Sequence, residues 1–322
     1  MQSDSIPIAL LVDDGAPVNL MTFHDPPYDH RFLIPNALAS DFAALCEAHG
    51  VRGKFSVLPM PGCLGGIDGR LSRVPPRHLA RFLDIMRTRI APRFDITPEI
   101  LTHLAAYRPV EGGFRHLYED EWVARASEPE MTDYFALALE ILDHVGLPAT
   151  GLTSPWNTGE HNELPYARAI GAAQWRVHRR DVTWYFLHVG GKGAVPRPSV
   201  RFRNPENGQT VVSIPAVTDD LFWGTQRPMA VTRRAARAAA RAGVDALLSA
   251  DGQSGRVAEV VRAHAPVTLL THWQSLFSDG TSAGLWGLER LLKRLRKIYG
   301  DRLSWMTCSE LADETVNKGI AP

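Results

Sequence analysis

The sequence predicts an α/β protein whose mostly parallel sheet closes into a (β/α) barrel. Three observations lead there. Apolar runs such as Ile8-Ala9-Leu10-Leu11-Val12 and Val267-Thr268-Leu269-Leu270-Thr271 suit strands buried on both faces, as in a parallel sheet. Strand-like and helix-like segments alternate along the chain, and no polar linker divides them. Residues with chemical capacity (Asp13 and Asp14, Glu99 and His103, His272) fall at or just past strand ends that are far apart in sequence. A barrel gathers such ends at one rim, whereas an open sheet spreads them.

The elements follow in order. Ile8–Val12 is the first strand, ending in Asp13-Asp14-Gly15. Side-chain alternation points the two carboxylates in different directions, so that one can hold a metal while the other takes a proton. The pair also fits a plain strand-end turn into Gly15-Ala16-Pro17. A long loop to Pro35 carries His24 and His30, and long loops at a strand's carboxyl end usually serve a site. A helix over 36–49 stops at Gly50, strand 54–58 follows, then a Gly- and Pro-rich loop over 59–76 and a helix over 77–89. The third strand is 93–96. Thr97 as N-cap with Pro98 at the first helical position predicts that a helix begins there, and on one helix face Glu99 and His103 can reach a common point.

A further loop carries His116, Glu119, Glu121 and Trp122 before an amphipathic helix over 130–145, which Gly146 ends. Strand 149–153 leads into Ser154-Pro155-Trp156-Asn157. Then come a helix over 162–173, strands at 175–178 and 183–188, a loop over 190–208 and a strand over 210–214. Asp219-Asp220 reads as a helix N-cap ahead of a substrate contact. A helix over 231–250, strand 267–271 with His272, a helix over 285–299, strand 303–306 and a helix over 309–316 complete one domain spanning 1–322.

Composition excludes several classes. Among 322 residues, 35 Lys and Arg balance 35 Asp and Glu, so neither nucleic acid nor an anionic membrane is an expected partner. The arginines at 233, 234, 237 and 241 have helical spacing and read as a solvated face. Three cysteines without CxxC spacing suggest neither a disulfide framework nor a zinc knuckle. The first residues lack the basic and apolar regions of an export signal, and no apolar run approaches a membrane span, so a cytoplasmic location is expected.

Four segments taken together, Val12-Asp13-Asp14-Gly15, Glu99-Ile100-Leu101-Thr102-His103, Thr153-Ser154-Pro155-Trp156 and Leu270-Thr271-His272, resemble the polysaccharide deacetylase superfamily in order and spacing. The resemblance implies a distorted (β/α) barrel of about seven strands. It assigns Asp13 as catalytic base, Asp14, Glu99 and His103 as ligands of a divalent ion, and His272 as general acid. Zinc is the first expectation for that ion, with manganese, cobalt or nickel as alternatives. Two positions depart from the family pattern. Glu99 stands where the first histidine of a His-Ser/Thr-x-x-His stretch belongs, and Thr153 replaces the arginine of an Arg-x-Pro motif that helps form the groove. The chain therefore resembles a divergent member, with an Asp-Glu-His metal site or none expected; His24 and His116 are reserve ligands.

Such a set suits hydrolysis: a divalent ion brings the pKa of its water to about 7, and a histidine can protonate a leaving amine or alkoxide. Trp156, Trp273 and Trp122 flank the motifs, and their flat faces suit sugar rings, so Trp156, Trp273 and Thr153 are the expected substrate contacts. The leading expectation is removal of an N- or O-acetyl group from a small sugar derivative or oligosaccharide. Alternatives are hydrolysis of a small amide or cyclic imide, a non-catalytic carbohydrate-binding protein on a decayed barrel, and a glycoside hydrolase pairing Asp13 with Glu119 or Glu121.

Overall fold

Strand β1 (Ile6–Gly15) is the centre of the molecule and is buried along nearly its whole length. The structure, a computed structural model, describes residues 5–24, 29–190 and 193–319. Ile8, Leu10 and Val12 enter the larger apolar cluster, while Ala9 and Leu11 enter a second one on the opposite face. Both faces are covered, which is why the run carries no polar alternation.

Parallel partners flank β1. On one edge lies β10 (Val267–His272), in a register that sets Asp13 opposite His272. On the other lies β2 (Gly53–Val57), followed outward by β3 (Phe94–Pro98), all parallel. The short β11 (Leu303–Trp305) pairs with the first residues of β1. A second sheet has the order β6 (Gly151–Thr153), β7 (Val182–Phe186), β9 (Thr210–Ser213), β8 (Ser199–Arg203), with only β8 antiparallel.

Backbone hydrogen bonds cross both seams between the sheets. Thr150 N–H donates to Ile96 O (3.0 Å) and Ile100 N–H to Thr153 O (3.2 Å). At the other seam Val217 N–H reaches Thr268 O (2.9 Å) and Leu221 N–H reaches Leu270 O (3.0 Å). A small antiparallel hairpin, β4 (Ala105–Tyr107) and β5 (Phe114–Tyr118), stands apart from both sheets. No helix among the described residues is long and apolar enough to cross a membrane.

Several expected elements change. Trp175 to His178 is not a strand but the last turn of helix Glu163–His178. Its end is held by His178, whose ring bonds Gln174 Oε1 (3.0 Å) and Asp143 (2.9 Å), so tertiary contacts override the aromatic and β-branched preference. The loop expected over 190–208 contains β8, where Val200 and Phe202 alternate with arginines as in a half-buried strand. Helix Glu128–His144 starts two residues early because Ser127 and Glu130 form a capping box.

The largest departure lies after β3. Thr97 and Pro98 are the end of the strand, not a helix start, and Glu99 makes a parallel bridge to Thr153. Beyond it Ile100 (φ 40°) and His103 (φ 54°) are left-handed, which no helix permits.

Candidate metal centre

The carboxyl end of β1 contains a bulge. Pairing with β2 slips between Val12 and Gly15, and Asp14 takes φ 63°. A bulge re-aims the residues it contains. Asp13 and Asp14 therefore both line one cavity of about 460 Å³ instead of diverging as alternation requires. Gly15 completes the turn where only glycine fits, since a Cβ there would lie 2.1 Å from Ser56 O.

Glu99 and His103 meet Asp14 without a helix. One ligand atom from each of the three residues lies within 4.8 Å of the other two, and all three residues are buried. His103 Nε2 stands 3.1 Å from Asp14 Oδ1 and 3.5 Å from Glu99 Oε1. Glu99 Oε2 accepts from the Asp14 N–H and the Ser56 hydroxyl, each at 2.6 Å, and Gln274 Nε2 donates to Asp14 Oδ2.

The loop that carries His103 is held by a carboxylate that sequence reasoning cast differently. Glu119 is fully buried and accepts the N–H groups of Leu101 (3.2 Å), Thr102 (2.9 Å) and His103 (2.8 Å), with the Tyr134 hydroxyl at 2.7 Å. Three consecutive N–H groups on one carboxylate fix the left-handed turn that a buried Ile100 would otherwise resist. Burial pushes Glu119 up to about 7, opposed by those bonds. Glu119 is thus a brace, Glu121 caps its own short helix through the Tyr118 N–H (3.1 Å), and neither lines the cavity with Asp13. Glu119→Gln replaces one acceptor oxygen with a donor facing N–H groups. Calorimetric titration with zinc should show affinity lowered about 10- to 100-fold, as for other residues that orient a ligand; unchanged affinity would deny the brace any role at His103.

Two ion pairs flank these three residues. Lys54, wholly buried on β2, donates to Asp13 Oδ1 and to Thr153 Oγ1 (2.9 Å), with its ammonium 4.8 Å from the Phe186 ring centre. His272 Nδ1 lies 3.0 Å from Asp220 Oδ2, and Asp220 also accepts from Thr271 (3.3 Å) and Ser275. Burial by itself would push His272 down, but the Asp220, Asp14 and Asp13 carboxylates lift it to about 10. Burial also raises Asp13 against the Lys54 charge, raises Asp14 and Glu99, and lowers His103.

The donor set fits a divalent cation. Two buried carboxylates and an imidazole converge, and Asp14 Oδ1, the oxygen that faces His103 Nε2, has no hydrogen-bond partner among the described residues. Oxygen and nitrogen donors in this ratio suit zinc or another borderline ion.

The expected substrate contacts divide. Trp156 lines the cavity, 42% exposed, with its ring 4.4 Å from that of His103 and 5.6 Å from that of His24. Trp273 does not line it: its ring is fully buried against Phe42 and Phe55 and donates to Ala16 O (3.2 Å), because alternation past His272 turns it into the core. Thr153 is buried too and serves Lys54 and Thr97 (2.8 Å). Trp122 packs on Tyr134, and His116 is exposed on β5, away from the cavity. His24 does line the cavity, and burial with the neighbouring His103 lowers it to about 4.

Sequence reasoning missed Lys54, Gln274 and Trp223, the last also exposed on the cavity wall, and it noted Asp220 as a cap without its pairing to His272. A signal existed for Lys54: in Lys54-Phe55-Ser56-Val57 the apolar residues take the core face, so Lys54 and Ser56 must face the other side.

No family model and no curated protein matches the chain. Solved structures do resemble it. One is a mutant of a CE4 family pseudoenzyme with restored enzymatic activity, 11% identical over 97% of this chain and 70% of that one, TM-score 0.43. Another is a family 4 carbohydrate esterase from Streptomyces lividans in complex with acetate, 10% identical over 93% of this chain and 91% of that one, TM-score 0.38. A third is the 4-alpha-glucanotransferase from Thermococcus litoralis, 10% identical over 96% of this chain and 40% of that one, TM-score 0.49. At this level of likeness nothing about activity passes from those proteins to this chain.

Proposed function

We propose that the protein is a metal-dependent hydrolase of an acyl C–N or C–O bond, most simply an acetyl group on a sugar derivative, built as one catalytic unit. The observation that carries this reading is the convergence, in one cavity, of Asp14, Glu99 and His103 between the Asp13–Lys54 and Asp220–His272 pairs. The cross-seam hydrogen bonds support a distorted barrel in which β1, β2, β3, β6, β7, the chain after β9 and β10 follow one another around the ring.

Asp14, Glu99 and His103 would hold the ion. A divalent ion held there would acidify a water and polarise an acyl oxygen. Asp13 would take the proton of that attacking water, and Lys54 holds its carboxylate in place. As the C–N or C–O bond breaks, His272, oriented by Asp220, gives a proton to the departing atom. The products are a carboxylic acid and an amine or alcohol. Trp156 and Trp223 would form the walls that position the substrate.

A small non-sugar amide is a second reading, favoured by the apolar Met21, Phe186, Leu187, Val189 and Leu270 among the lining residues. The test is hydrolysis of acetylated sugars and simple acetamides by zinc-loaded protein, before and after chelation. Turnover that disappears with the chelator and returns with the ion is expected. Turnover that survives complete metal removal would overturn the reading.

A further inference from the structure

The cavity walls carry a charge pattern that bears on what the departing group looks like, an inference that rests on the proposed hydrolysis. Every carboxylate at the floor has a partner or a use. Asp13 is paired with Lys54 and Asp220 with His272, while Asp14 and Glu99 would be balanced by a divalent ion. Asp219 differs. It lines the same cavity, is exposed, and among the described residues accepts a hydrogen bond only from the Asp220 N–H (2.7 Å to Oδ1). No basic side chain among the described residues pairs with it, and no lysine or arginine of the described residues lines the cavity.

The rest of the wall suits a cation as well. Trp156 and Trp223, 42% and 41% exposed, both line the cavity, with Trp223 on the His272 side at a ring distance of 5.9 Å. Aromatic faces beside a carboxylate attract ammonium groups. Much of the remaining lining is apolar (Phe186, Leu187, Val189 and Leu270), and of its polar members Ser154 is already engaged by Tyr166 (2.8 Å).

We infer that the preferred substrate is an acylated amine that carries a second, protonated amine, which Asp219 and the exposed tryptophans receive. The step is ordinary hydrolysis. Water oxygen bonds to the acyl carbon, the C–N bond breaks, and the nitrogen gains a proton, so an acetamide becomes acetate and a diamine. Two sources share this chemistry: an aliphatic monoacetyl diamine and a partly deacetylated amino-sugar oligomer.

The experiment uses zinc-loaded full-length protein and three acetamides of similar size: N-acetyl-1,4-diaminobutane, N-butylacetamide and 4-acetamidobutanoate. At low salt kcat/KM should rank cation, neutral, anion, with a cation-to-neutral ratio of about tenfold or more that shrinks as salt screens it. In Asp219→Asn, whose amide oxygen still accepts the Asp220 N–H, that ratio should fall about tenfold. Monoacetylated chitobiose, turned over faster or slower than the diamine, separates the two sources. If none of the amides is hydrolysed, calorimetric binding of n-butylammonium against 1-butanol decides. Preference for the ammonium, lost in Asp219→Asn, keeps the cation site at Asp219 but removes the acylated substrate together with the hydrolase reading, and the absence of any preference overturns the inference. An unchanged ratio in Asp219→Asn, or an anion processed as well as the cation, overturns the inference and leaves hydrolysis standing.

Discussion

Wild-type protein is expected to hold about one divalent ion per chain, and His103→Ala to hold none. Asp14→Ala should behave in the same way, since each removes a donor from a set of three buried candidate ligands. Loss of the ion removes several kcal/mol of charge stabilisation, so turnover should fall by on the order of 10³. Asp13→Asn is the informative contrast. Asp13 belongs to the Lys54 pair, so the variant should keep its ion and lose turnover by about 10² to 10⁴, the usual worth of a positioned base. Elemental analysis gives the metal content, and a thermal melt with added zinc reports binding independently, because an ion that binds only the folded chain raises Tm. An Asp13→Asn protein that works within a few fold of wild type would remove Asp13 from the role of base. A His103→Ala protein that retains its ion would remove His103 from the ligand set.

Lys54→Met should be the most destabilising single change near the site, at about 3–5 kcal/mol, because it leaves a fully buried carboxylate without its cation. Met fills most of the space, so the cost is electrostatic more than steric. The pH dependence follows from the sign of the Asp13 shift. Burial holds the folded carboxyl above its ordinary 3.8, and without Lys54 it rises further. A raised carboxyl subtracts stability from the folded state as pH climbs past the unfolded value, and the deficit is complete only above the folded value. The Lys54→Met deficit should therefore be largest near neutral pH and shrink in mild acid. Denaturant melts at both conditions measure it. The double variant Lys54→Met/Asp13→Leu should recover most of the loss, since an apolar pair in place of a buried ion pair is often neutral. A single variant as stable as wild type would mean that the pair is solvated.

Residues 8–12 announced a strand covered on both faces, and the structure places their alternate side chains in two apolar clusters. Asp13, Asp14, Glu99, His103 and His272 were readable as strand-end polar residues. Their order along the chain was enough to bring them to one rim, because a parallel sheet delivers each strand's carboxyl end to the same side. Trp156 likewise stood beside its motif and lines the cavity.

What the sequence could not decide were the local conformations that aim those side chains. Alternation sends Asp13 and Asp14 apart; the bulge against β2 turns both inward. Helical spacing joins Glu99 to His103; a left-handed loop pinned by Glu119 does so instead, and that carboxylate arrives from beyond a separate hairpin. Asp220 reads as a local cap and does accept the Phe222 N–H (3.0 Å), but its other oxygen serves His272, fifty-two positions later in the chain. Trp273 and Trp156 look alike in sequence, and only packing separates the ring sealed against Phe55 from the ring open to solvent. Periodicity and residue type are local properties, so the chain carries them openly. Bulges, braces and buried ion pairs are set by partners distant in sequence, and their energies exist only once the sheet has brought those partners together.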